Sequence, residues 1–282
     1  MKCYLCGNTD HLPVKGIVRD NPNLGIYKCN SCGLVFLQDG NHINEEFYQN
    51  DGMGKGNPLN CDFAAVDAFD TNKRFNLYHK ELSGKKILDF GCGKGSFLTK
   101  LKEENVTSEL YALEPNLSHK EFLSSNFKLY TAIEEIPDKS IDFITMFHVL
   151  EHLKEPMEIL NALYSKLTDN GKIIIEVPSC DDALISLYES DAFSEFTYWS
   201  CHLYLYNNAT LRLLFEKTPF KVDYIKQYQR YSLANHLYWL AKSKPGGHKE
   251  WAFLDDEEMQ RIYEQKLAEQ GKCDSVIAMI SR

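Results

Sequence analysis

The sequence predicts an α/β fold: a seven-stranded, mostly parallel sheet with helices on both faces, preceded by a small module built on four cysteines. Three observations carry this expectation. From Lys85 onward, short apolar runs alternate with helical stretches, the pattern of strand–helix–strand crossovers that builds parallel sheets. The first run ends in the glycine-rich turn Gly91-Cys92-Gly93-Lys94-Gly95, and the second ends in a carboxylate, Glu114. Four of the nine cysteines fall in the first 32 residues as two pairs, each followed by glycine.

Composition narrows the class. The 282 residues suffice for about two domains at roughly 150 residues each. With 44% hydrophobic and 25% charged residues, a sizeable core is available. Forty acidic against thirty-one basic side chains leave a net charge of −9, which argues against a generic nucleic-acid binder with its basic surface. No apolar run approaches the roughly 20 residues of a membrane span, so no membrane insertion is expected. The start, MKCYLCGNTD, has no apolar core of the signal-peptide kind, so the expected location is the cytoplasm. An odd number of cysteines without a secretion signal speaks against a disulfide scaffold.

In chain order, the cysteine pairs come first. Cys3-Tyr-Leu-Cys6-Gly7 and Cys29-Asn-Ser-Cys32-Gly33 let two tight turns aim four sulfurs at one ion, with each glycine free to take a left-handed backbone. Four thiolates make a closed tetrahedral zinc site, structural because no position is left for a substrate. His11 is an alternative ligand that a filled site does not need. The module spans 1–37, and the stretches VKGIVRD and LGIYKC between the pairs predict a short hairpin. Residues 38–61, rich in glycine and asparagine, predict a linker or loop. The domain 62–282 opens with a helix over 62–82 whose apolar positions include Phe63, Val66, Phe69 and Phe75.

Strands are then expected at 85–90, 108–113, 127–130, 141–147, 171–177, 221–228 and 274–281, and helices at 95–104, 116–124, 156–168 and 208–217. In the third helix Ile159, Leu160, Leu163 and Leu167 recur at helical spacing, with Pro156 in its first turn. A mostly helical insertion, 231–272, separates the last two strands.

The turn after the first strand lets the backbone bend sharply and approach a ligand closely. Its spacing is GxGxG, not the GxGxxG of nicotinamide enzymes. Glu114, 19 residues after Gly95, is suited to accept hydrogen bonds from both hydroxyls of a ribose. In a doubly wound, Rossmann-like sheet these two strand ends meet at the ligand crevice.

On LDFGCGKGSF, ALEPN, IDFITMFHVLEHL and EVPS followed by HLYLYNNATLRLLFEKTPF, the chain resembles the class I S-adenosylmethionine-dependent methyltransferases over about residues 62–230 plus the final strand. The cysteine-rich start is similar to the zinc-binding segment that precedes some bacterial sugar methyltransferases. The resemblance implies that Asp89, Gly91, Cys92 and Gly93 hold the methionine part of the cofactor and that Glu114 holds the ribose. It implies that Ile133 and Glu134 flank the adenine, and that Phe147 and His148 line the other side. Relatives often carry an aspartate at the end of the third strand, where this chain has Ala132, so the side-chain acceptor for the adenine amino group is either missing or supplied by Glu134.

Methyl transfer from a sulfonium is an in-line displacement, dominated by alignment. An alcohol acceptor also needs a base, and histidine is suited near neutral pH. His202, after the fifth strand, is the first candidate and His148 the second. Some carbon-methylating relatives carry a glutamate before the histidine; here Cys201 stands there, which favours oxygen as acceptor. His148 and His152, four apart, are expected on one helical face, with Glu151 beside rather than between them. Tyr198, Trp199 and Tyr204 predict an aromatic wall. Arg230, His236, Lys244 and His248 predict a cationic patch for an anion, in a stretch that also carries Asn235, Lys242 and Lys249. The cationic patch predicts a small anionic substrate, and the resemblance to sugar methyltransferases implies a carbohydrate-pathway molecule: a nucleotide sugar or a capsule or lipopolysaccharide precursor, phosphorylated non-sugar groups included. One rival is an RNA base methyltransferase. Residues 1–37, however, carry only Lys2, Lys15, Arg19 and Lys28 against Asp10 and Asp20. The other rival is a zinc-anchored interaction protein without catalysis.

Overall fold

The computed structural model describes residues 1–49 and 63–282. In chain order its first elements are β1 (His11–Pro13), β2 (Ile26–Cys29), β3 (Val35–Leu37), α1 (Glu45–Gln49), α2 (Phe63–Leu82), β4 (Ile87–Phe90), α3 (Ser96–Glu103), β5 (Leu110–Leu113), α4 (Lys120–Asn126), β6 (Lys128–Tyr130) and β7 (Ile141–Phe147). They continue with α5 (Pro156–Lys166), β8 (Leu167–Pro178), α6 (Ala183–Ser186), α7 (Asp191–Thr197), β9 (Tyr204–Leu205), α8 (Asn208–Phe215), β10 (Lys221–Tyr228), α9 (Leu233–Lys242), α10 (Gly247–Glu250), α11 (Glu257–Glu269) and β11 (Ser275–Ser281). Seven strands form one sheet in the order β10-β11-β8-β7-β4-β5-β6. The strand β4 pairs parallel with β5 and β7, and β5 parallel with β6. The expected mostly parallel sheet is therefore present. Its order reverses at β4, which is where a doubly wound sheet opens a ligand crevice. Among the described residues no helix is long and apolar enough to cross a membrane.

The chain divides into two compact units: Met1–Gly40 with Glu176–Leu214 and Tyr224–Ala278, and Asn41–Ile175 with Phe215–Asp223 and Met279–Arg282. The first 37 residues, expected as a separate module, are thus part of a larger unit.

In the unit that begins at Asn41, local chemistry explains each element. All four residues of β4 are buried, as expected of a strand covered on both faces. Phe97, Leu98 and Leu101 give α3 one apolar face. Pro156 sits at the start of α5, where its missing N–H costs nothing. That helix stops at Lys166 because β8 begins at Leu167, four residues earlier than the sequence predicts. The expected helix 116–124 is a 3-10 turn, Leu117–His119, followed by α4. Two further expectations are corrected. In α2 the inward positions are Asp70, Thr71, Tyr78 and Leu82, while Phe69 is exposed. Part of the expected linker is built, since Asn44 caps α1 through a 2.8 Å bond from the Phe47 N–H, and Ile43 is buried. Residues 50–61 of that linker, Cys61 among them, lie outside the described residues.

In the other unit β1, β2, β3 and β9 form a four-stranded antiparallel sheet. The expected hairpin is corrected: His11–Pro13, not the stretch VKGIVRD, pairs with β2. The Val14 N–H still donates to the Ile26 carbonyl at 2.9 Å, and the chain leaves the sheet after it. The insertion 231–272 is helical as expected, carrying α9, α10 and α11.

Candidate active site

The strand β4 delivers Asp89 and the turn that follows it. Gly91, Gly93 and Gly95 all take left-handed backbone, with φ of 70°, 53° and 78°. A Cβ on Gly91 would stand 2.8 Å from Val149, and one on Gly95 2.8 Å from Leu123, so both positions need glycine for space as well as for backbone angle. The strand β5 ends beside this turn. One Glu114 oxygen accepts the Gly93 N–H at 2.8 Å and the other accepts the Asn116 N–H at 2.8 Å. A carboxylate oxygen has two lone pairs, so each keeps one to offer a diol. From α2, Asp67 ties down the far side of the turn by accepting the Ser96 hydroxyl at 2.5 Å and pairing with Lys94 at 3.6 Å.

Asp89 is buried and accepts the Thr145 hydroxyl at 2.6 Å. Burial pushes its carboxyl up to about 7, against the pull of Thr145 and of the Arg74 guanidinium. The sign follows. Between the ordinary carboxyl range and pH 7, folded Asp89 holds a proton that the unfolded chain has released, so stability falls as pH rises through that window. A cation bound beside Asp89 would favour its charged form and expel that proton. Affinity for a cationic ligand should therefore rise by up to about tenfold per unit between roughly pH 5 and 7, and Asp89→Asn should flatten the slope. Calorimetry across this range checks it; a flat profile in the unmodified protein would refute it.

Arg74, which the sequence reading missed, stands over the Phe147 ring at 4.6 Å. Tyr78 stacks near the same ring at 6.0 Å and Phe97 meets it edge-on at 5.1 Å. The signal was the helical spacing of Asp70, Arg74, Tyr78 and Leu82, masked by the apolar Phe69, which is exposed. Ile133 is buried in a 3-10 turn, and Glu134 beside it is exposed. Cys92 lines the turn, and burial first, with the charges of Asp89 and Glu114 second, raises its thiol far above the ordinary range, so it stays neutral.

The segment after β7 corrects the expected helical face. It is a 3-10 turn, Leu150–His152, entered through His148 in left-handed backbone with φ 55°. One oxygen of the fully buried Glu151 lies 3.2 Å from His148 Nδ1 and 3.9 Å from His152 Nε2. Glu151 therefore stands between the histidines, and an acid–histidine pair exists at His148.

In the unit that holds the cysteines, Cys3 and Cys32 sulfurs are 3.6 Å apart, Cys6 and Cys29 3.5 Å, and all four lie within 4.8 Å of one another. A tetrahedral ion with sulfur bonds of about 2.3 Å needs sulfurs roughly 3.8 Å apart. The two turns are alike: Gly7 N–H reaches the Cys3 carbonyl at 2.8 Å and Gly33 N–H the Cys29 carbonyl at 2.9 Å. Four soft donors at this spacing fit zinc.

His202 is half-buried and meets the Trp199 ring edge-on at 5.5 Å. Tyr198 is buried against Gly16, and Tyr204 leans on Tyr4 at 5.1 Å. Phe193 and Phe196, both half-buried, pack on Trp239, each at 5.1 Å. The cationic patch is corrected. His236 is 1% exposed, lies 2.7 Å from the Tyr263 hydroxyl, and is pushed down to about 4 by burial. Burial also lowers His248. Neither favours a positive charge at neutral pH. Lys242, Lys244 and Lys249 are exposed, and Arg230 lies over Tyr231 at 4.9 Å.

A parallel sheet with a glycine turn after β4 and a carboxylate at the tip of β5 defines an α/β enzyme that binds a nucleoside cofactor. The chain belongs to the methyltransferase-domain family, whose model matches residues 67–225, more than half of its length. A solved S-adenosylmethionine-dependent methyltransferase from Archaeoglobus fulgidus shares the fold at TM-score 0.54 and 22% identity, covering 78% of this chain and 99% of that one. A possible histamine N-methyltransferase from Thermotoga maritima does so at TM-score 0.50 and 17% identity, over 77% and 91%. Among curated relatives, a tRNA U34 carboxymethyltransferase from Pseudomonas paraeruginosa is 30% identical over 129 residues, 42% of this chain and 40% of that protein. The similar protein from Campylobacter lari is 26% identical over 122 residues, 39% and 42%. The chain thus spans about two fifths of the length of these relatives.

Proposed function

We propose that the chain methylates an oxygen of a small anionic carbohydrate-pathway acceptor, such as a nucleotide sugar or a capsule or lipopolysaccharide precursor, in the cytoplasm. The observation that carries the cofactor half is the Glu114 carboxylate, tied to Gly93 and Asn116 with a lone pair left on each oxygen. When bound, S-adenosylmethionine supplies a methyl group on a sulfonium. Glu114 orients the ribose, the glycine turn accepts the methionine part, and Arg74 is our candidate for its carboxylate. Asp89 and Phe147 wall the sulfonium side. Ile133 packs on the adenine, and exposed Glu134 serves its amino group. The four cysteines hold structural zinc.

The acceptor half rests on the charge balance of −9, on the exposed Lys244 with Arg230 as the remaining cations, and on Trp199 and Tyr204 as apolar faces. His202 is the first candidate to take the acceptor proton and His148, backed by Glu151, the second. His202→Ala is expected to lower turnover by about a hundredfold, the usual share of a general base, with cofactor affinity within twofold. Full activity would transfer the role to His148.

A second reading is favoured by one observation: the curated relatives are named tRNA U34 carboxymethyltransferases. It makes structured RNA the acceptor. Release of S-adenosylhomocysteine in the presence of a nucleotide-sugar panel supports the first reading. Turnover on tRNA, with binding that weakens steeply as salt rises, replaces it with the second.

A further inference from the structure

The feature that neither the fold nor the cofactor site uses is the path of residues 14–20. After Val14, whose N–H still donates to Ile26 of β2, they leave the antiparallel sheet and run along residues 194–200. Gly16 has φ 141°, and a Cβ there would stand 2.4 Å from the Tyr198 ring and 2.8 Å from the Ser194 carbonyl. The Arg19 N–H donates to the Tyr198 carbonyl at 2.9 Å. The Arg19 guanidinium donates to the Phe196 carbonyl at 3.3 Å and lies against the Phe196 and Trp199 rings at 5.3 and 4.6 Å. Asp20 receives two bonds from buried Ser200, one from the N–H at 2.9 Å and one from the hydroxyl at 2.6 Å. Just beyond, β9 is the fourth strand of the cysteine module's sheet: Val35 opposes Leu205 and Phe36 opposes Tyr204. The Leu37 N–H also donates to the Leu203 carbonyl at 3.1 Å.

We propose that Gly16, Arg19 and Asp20, together with β3, form a clamp that makes residues 194–205 a dependent part of the four-cysteine module, so that metal binding sets the position of Trp199, His202 and Tyr204. The physical reason is length. The strand β9 has two residues, and α7 has seven; elements this short do not hold a conformation alone. Most of the contacts just described come from the module side. The module's own strands have three, four and three residues and need four thiolates closed on an ion to stay together. Arg19 and Asp20 are therefore positioning residues: they touch the segment that carries the candidate base. This inference rests on reading that segment as the acceptor side, and its test separates the two.

The experiment uses the full-length protein and follows amide hydrogen exchange peptide by peptide, together with cofactor affinity and turnover. Asp20→Ala and Gly16→Ala are expected to speed exchange in 194–205 by about tenfold or more, the scale of losing a charge-assisted hydrogen bond. The parallel strands β4 to β7 should stay protected. Asp20→Asn, which keeps an acceptor oxygen, should recover part of the protection. Removing the metal with a chelator should speed exchange in 194–205 together with 1–37. Lys15→Ala is the control: its pair with Asp191 is solvent-exposed on both sides and should change nothing. Unchanged exchange in 194–205 after chelation, with 1–37 opened, overturns the clamp. Faster exchange there with kcat and KM both unchanged keeps the clamp and removes the segment from the acceptor side.

Discussion

Cys32→Ser is expected to lower the unfolding temperature by roughly 10 °C or more, and a chelator should reproduce the loss in the unmodified protein. The size follows from what the thiolates hold. Strands of three, four and three residues bury too little to stay folded alone. Four thiolates within 4.8 Å of one another would repel one another and need a cation to be charged together. Metal content by emission spectrometry, read with the melting curve, checks both parts. One zinc per chain in the parent, a lower zinc content in the variant and a lower melting temperature are the expected set. An unshifted melting curve would mean that the cysteines pack as neutral thiols.

Glu114→Ala is expected to weaken S-adenosylmethionine binding by about a hundredfold or more, the loss of two hydrogen bonds to a charged acceptor. It also frees the Gly93 and Asn116 N–H groups that shape the turn, so the variant loses both a ligand contact and the turn's brace. Glu114→Gln separates these. Its amide presents one acceptor and one donor, so one brace is kept and the other is repelled, and an intermediate loss is expected. Calorimetry measures each affinity, and a circular-dichroism melt verifies folding. Affinity within twofold of the parent in Glu114→Ala would remove Glu114 from the ribose site.

How much of the site was legible follows from how local each signal is. The turn at 91–95 and the end of β5 at Glu114 were read correctly as neighbours because parallel pairing of β4 with β5 follows from the alternation of strands and helices. The cysteine pairs were legible because two-residue spacing is a property of one turn. Arg74 was not, because α2 buries Asp70 and Thr71 while Phe69 is exposed, so the apolar positions do not mark the face on which Arg74 meets Phe147. Glu151 was misjudged for a related reason. No helix forms here: left-handed backbone at His148 and the short 3-10 turn that follows carry the Glu151 carboxylate to 3.2 Å from His148 Nδ1. His236 read as part of a cationic patch because Arg230, Lys242, Lys244 and Lys249 share its stretch of sequence. Its surroundings in space are Gln229, Tyr188 and Tyr263, and burial makes it neutral.

The amino-acid order alone was enough for the sheet, the glycine turn with Glu114 beside it and the grouping of the four N-terminal thiols, since each depends on spacing along a strand, a turn or a crossover. Folding settled which polar groups are buried, which histidine has an acid partner and where residues 14–20 go. Those outcomes depend on side chains brought together from distant parts of the chain, as Asp20 is to Ser200, and no local periodicity encodes such a meeting.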